Sequence, residues 1–81
     1  MNLDERTPAV QDVLVFRTNI QKKAEFAIIE KELQKLAGIQ KCTVDFEDRE
    51  KVLRIECLNP NLMEIVDTVN RQGFICEELE D

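Results

Sequence analysis

Lys35-Leu36-Ala37-Gly38-Ile39-Gln40-Lys41-Cys42-Thr43-Val44-Asp45-Phe46 decides the fold, because the period of its apolar residues changes in the middle. Upstream, Phe26, Ile29, Leu33 and Leu36 fall three, four and three apart, one stripe along a helix that begins near Lys22. Glu25, Glu30, Lys31, Glu32, Gln34 and Lys35 cover the rest of that helix. Gly38 stands where a left-handed residue closes a helix, with Ile39 as the apolar lock behind it. Downstream, Cys42, Val44 and Phe46 alternate with Lys41, Thr43, Asp45 and Glu47, the two-residue period of a half-buried strand.

Nearer the N-terminus, Val13-Leu14-Val15-Phe16 is apolar on both faces, as a central strand is, and Thr18-Asn19 is placed to cap the helix after it. On the other side, Glu47-Asp48-Arg49-Glu50 is polar enough to turn a hairpin. Leu53, Ile55 and Cys57 then alternate with Val52, Arg54 and Glu56 as the return strand. Asn59-Pro60 reads as an N-cap followed by proline in the first turn of a second helix. Its buried stripe is Leu62, Ile65, Val66 and Val69, and Arg71-Gln72-Gly73 closes it. A last strand runs from Phe74 to about Leu79, before an acidic end at Glu80 and Asp81. The order is β-α-β-β-α-β. The expected fold is therefore α+β: a ferredoxin-like sandwich, with a four-stranded antiparallel sheet and both helices on one face. Residues 1–10 are expected to be a flexible lead-in, and residues 11–81 the single domain.

Composition narrows the function. The 81 residues carry a formal charge of −6, which argues against nucleic acid, since phosphate binding needs a basic stripe. No apolar run approaches the ~20 residues of a membrane span. The first six residues lack the basic start and apolar stretch of a secretory signal, so a cytoplasmic address is expected. The chain has no histidine, so an imidazole base is excluded and an enzyme is not expected. Cys42, Cys57 and Cys76 lie 15 and 19 residues apart, which is not a zinc spacing. Each fits an inward strand position, where cysteine packs as a small hydrophobe. A sharper alternative is a thiol site built from Cys57 or Cys76 near a strand end.

The stretch from Lys35 to Phe46 resembles the "KLxGVxxVxVdL" segment of heavy-metal-associated domains, which include copper chaperones and the N-terminal domains of heavy-metal ATPases. Arg71-Gln72-Gly73-Phe74 is similar to their "xxGY/F" close. The resemblance covers roughly residues 11–80 and implies their βαββαβ fold. In that family a Met-x-Cys-x-x-Cys loop at the start of the first helix carries the metal. Counting back from Gly38, the methionine position falls on Ile20 and the cysteine positions on Lys22 and Glu25. An ammonium and a carboxylate do not make a site for soft Cu(I), so no metal or other cofactor is expected there.

Two surfaces remain as candidate contacts. Asn19, Ile20, Gln21, Lys22 and Lys23 surround a helix N-terminus, where free N–H groups favour an anion or an acidic partner. Val13, Val15 and Val52 are expected to cluster on the open face of the sheet, a candidate partner or dimer surface. The function read from the sequence is a degenerate heavy-metal-associated domain without its cysteine pair. It is expected to be a non-catalytic interaction module linked to metal transport, binding a protein partner or itself, with no nucleic acid and no membrane insertion. Two alternatives stand beside it: a copper or zinc carrier using non-family ligands, and a small-molecule regulatory module.

Overall fold

β-branched and aromatic residues crowd the segment that forms the first strand, β1 (Gln11–Thr18), in the computed structural model, which describes residues 11–79. There follow α1 (Lys23–Leu33), β2 (Ile39–Asp45), β3 (Val52–Leu58), α2 (Leu62–Arg71) and β4 (Cys76–Glu78). The strands lie in the order β2-β3-β1-β4, each antiparallel to its neighbour, with β1 and β3 in the centre as their apolar runs require. The expected βαββαβ order and ferredoxin-like sheet are therefore what the chain forms.

The two faces of the sheet follow from side-chain alternation. Leu14, Phe16 and Thr18 of β1 and Leu53, Ile55 and Cys57 of β3 point inward and are buried. They form one core with Ile29 and Leu33 of α1 and Ile65 and Val69 of α2, which sets both helices on the same face. Phe26 and Phe46 close its rim in an edge-to-face contact, with ring centroids 6.4 Å apart. Cys42, Cys57 and Cys76 are all buried in this core, as small hydrophobes are.

Several element ends differ from the sequence expectation. α1 stops at Leu33 with Gln34 as its C-cap, so Leu36 reaches the core from a turn rather than from the helix. Gly38 is accordingly not the helix cap. Its φ of +85° turns the chain into β2, and an added Cβ would lie 2.2 Å from the Leu58 carbonyl oxygen. Gly73, with φ +96°, does close its helix: its own N–H donates to the Asn70 carbonyl and the Phe74 N–H to that of Val69. The N-cap of α2 is Asn61 rather than Asn59, its Oδ1 accepting the Glu64 N–H at 3.2 Å. β4 is three residues long, because Asn19 takes the Ile75 N–H before the ladder begins. The lead-in expected over residues 1–10 lies outside the described residues.

Candidate functional site

The loop between β1 and α1 is held at three points. The Thr18 hydroxyl donates to the Lys51 carbonyl at 2.6 Å and accepts the Ile20 N–H at 3.2 Å, while the Thr18 N–H donates to the Glu50 carbonyl. Lys51 holds a left-handed φ of +47°, and its Nζ donates to the Phe46 carbonyl at 2.7 Å. The β2–β3 hairpin is thus clasped to the start of the loop. Asn19 then accepts the Ile75 N–H at 2.9 Å and ties the loop to β4. Neither Thr18 nor Asn19 caps the helix, contrary to the sequence reading.

Ile20 is fully buried. It anchors the loop in the core, so it cannot be one of the contact residues expected from the sequence. Asn19, Gln21, Lys22 and Lys23 are exposed. The Gln21 and Lys22 N–H groups both donate to Glu25 Oε1, at 2.8 and 3.1 Å. Lys22 is the N-cap residue, and its ammonium has no lone pair to return the bond. Glu25 therefore supplies half of a capping box and places a negative charge at the positive end of α1. The Gln21 and Lys22 N–H groups are thus engaged by the chain's own carboxylate, whose negative charge already lies where an external anion would be drawn. The sequence carries this signal, a glutamate three residues past Lys22, which the expected cap at Thr18-Asn19 obscures.

The donor chemistry does not fit Cu(I). The ion needs thiolates, and burial pushes the thiols of Cys42 and Cys76 up to about 12 from an ordinary 9.0. Burial, with the Asp12 carboxylate second, also raises that of Cys57. The three thiols sit on β2, β3 and β4; Cys76 lies opposite Thr18 in the β1–β4 ladder, beside the start of the loop, but its side chain is buried in the core. Among the described residues, no group of three or more cysteine, aspartate and glutamate side chains stands together to hold an ion.

On the open face, Val13 is exposed while Val15 and Val52 are half-buried. The ladder sets Val13 opposite Glu56 and Val15 opposite Arg54, and Val52 lies one step beyond the Leu53–Phe16 pair. Arg17 pairs with Glu77 across β1 and β4, and Lys41 faces Glu56 across β2 and β3. Charged residues thus interleave the three valines. No helix among the described residues is long and apolar enough to cross a membrane.

No family model matches the chain, and no curated protein matches it. Solved structures do. The N-terminal domain of PacS from Synechocystis PCC6803 is 21% identical with a TM-score of 0.70, over 85% of this chain and 98% of that one. The yeast copper transporter domain Ccc2a, solved in apo and Cu(I)-loaded states, is 21% identical with a TM-score of 0.73, over 85% and 96%. The apo HMA domain of the copper chaperone for superoxide dismutase is 18% identical with a TM-score of 0.71, over 99% and 79%. The chain has the ferredoxin-like fold of the heavy-metal-associated domains.

Proposed function

We propose that this chain is a non-catalytic docking domain on a heavy-metal-associated scaffold, belonging to metal transport and handling no ion itself. The observation that carries the reading is the double hydrogen bond to Glu25. At the loop where the family resemblance places two thiolates, a carboxylate satisfies the chain's own amides and an ammonium points to solvent. The loop is closed to metal chemistry without being left unstructured. Ile20, Thr18 and Asn19 brace it from below, so Gln21, Lys22 and Lys23 are presented on a rigid edge, and a protein with an acidic surface is the partner that fits. The fold's solved relatives include copper transporter and copper chaperone domains, which supports the link to metal transport.

Zero-length coupling of lysine amines to carboxylates in an extract of the source cell tests the docking. The expected result is a discrete adduct that disappears with Lys22→Glu/Lys23→Glu and survives Lys41→Glu, a change on the other side of the fold. Equal adduct yield from all three proteins refutes docking at this edge.

A further inference from the structure

Among the described residues, β4 covers only part of β1. The Val15 carbonyl accepts the Leu79 N–H at 2.9 Å, so the odd-numbered residues of β1 aim their backbone groups toward β4. The ladder with β4 covers Phe16 to Thr18. Gln11 and Val13 aim the same way beyond its end, and among the described residues no strand meets them. A cleft of about 570 Å3 lies along this edge, lined by Asp12, Val13, Val15, Leu62, Glu78 and Leu79 among others. Of the five large hydrophobic side chains exposed on the described surface, Val13 (46%) and Leu62 (38%) line this cleft. A third, Met63 at 74%, sits on the same first turn of α2. Open ladder groups, apolar walls and a carboxylate at each side, Asp12 and Glu78, meet in one place. It lies at the end of β1 opposite the Thr18–Lys23 loop.

We propose that this edge takes up an extended segment of a partner protein, apolar residues flanked by lysine or arginine, as an added strand antiparallel to β1. The backbone of Gln11 and Val13 supplies the ladder, Leu62 and Val13 receive alternate apolar side chains, and Asp12 and Glu78 select basic flanks. A strand edge that no other strand meets is an aggregation hazard, and the chain's charge of −6 sets the sign of the segment that suits this one. The inference is independent of the lysine loop and stands or falls apart from it.

Amide NMR of the full 81-residue chain tests it, with acetylated, amidated Lys-Val-Ile-Val-Lys and Glu-Val-Ile-Val-Glu as probes. The basic peptide is expected to shift the Gln11, Val13 and Leu79 amides and slow exchange at Val13. It should bind about fivefold or more tighter than the acidic one, the worth of one to two exposed ion pairs. Asp12→Lys sets one ammonium against the remaining Glu78 carboxylate and should abolish that preference, and Leu62→Ser, at an exposed position, should weaken both peptides. Equal binding of the two peptides, or shifts confined to α1, overturns the proposal. Two further outcomes overturn it: a Val13 amide already protected in the free monomer, meaning the chain's own ends cover the edge, and concentration-dependent dimerisation through it.

Discussion

Glu25→Ala removes the acceptor of two backbone N–H groups and the negative charge at the N-terminus of α1. Both amides belong to exposed residues, so water replaces the lost partner and no buried-donor penalty applies. What remains is a capping loss of ~1 kcal/mol and a charge–dipole loss of ~0.5 kcal/mol, together ~1.5 kcal/mol. For a domain of this size that lowers Tm by roughly 6–12 °C. Glu25→Gln keeps an acceptor and loses the charge, so it should fall about midway, and salt should narrow its gap to the native chain. Glu32→Ala is the internal control, on the same helix, with the same charge, paired with Lys35 at the surface. An exposed pair of that kind is worth less than ~0.5 kcal/mol. Urea unfolding followed by far-ultraviolet circular dichroism, at unchanged m, reads all three variants. If Glu25→Ala is no more damaging than Glu32→Ala, the self-capped loop is wrong, and with it the observation on which the proposed function rests.

Two glycines of similar φ should respond differently to alanine. Gly38→Ala meets the Leu58 carbonyl and should cost more than ~3 kcal/mol or prevent folding, whereas Gly73→Ala has open space and should cost only the ~1 kcal/mol of a left-handed side chain; denaturant midpoints compare them. Because Cys42 and Cys76 hold their protons to about 12 when folded and to about 9.0 when unfolded, the unfolded chain loses protons first as pH rises. Stability is therefore whole below pH 9 and should fall above it by up to ~1.4 kcal/mol per pH unit per thiol. A Tm series from pH 8 to 11, read as the difference from Cys42→Ala/Cys76→Ala, should show that slope in the native chain only. Thiol labelling of the folded chain by an aromatic disulfide should be slow at all three cysteines and speed up with urea in step with unfolding; one fast thiol would mean an exposed cysteine.

What the sequence disclosed follows how local each cause is. The two central strands and most of both helix stripes are legible because Leu14, Phe16, Leu53, Ile55, Ile29, Leu33, Ile65 and Val69 repeat with the period of their own element; Leu62, expected in the second stripe, is exposed instead, at the first turn of α2 beyond the core. The Gly73 cap was legible for the same reason, as its bonds run three to five residues back along the chain. Gly38 was misread because its constraint is the Leu58 carbonyl, twenty residues away in sequence and adjacent only in the sheet. Thr18 and Asn19 looked like caps by residue type, but the folded chain offers them Lys51 and Ile75 instead. Ile20 looked like part of a contact loop, and its burial depends on the helices closing over the sheet. Of the candidate site, the charge pattern at Lys22 and Glu25 was visible, while the bonds that give it meaning depended on where the helix starts.

If Lys22 and Glu25 stand where a metal-binding relative of this fold keeps two thiolates, restoring both thiols should restore a copper site. Titration of reduced protein with Cu(I) against a competing chelator reads this, with the native chain and the Lys22→Cys/Glu25→Cys variant side by side. The native chain is expected to bind no stoichiometric copper and the variant one equivalent. Stoichiometric binding by the native chain, lost in Cys57→Ser or Cys76→Ser, would contradict this, and so would a folded double variant that still takes up no copper.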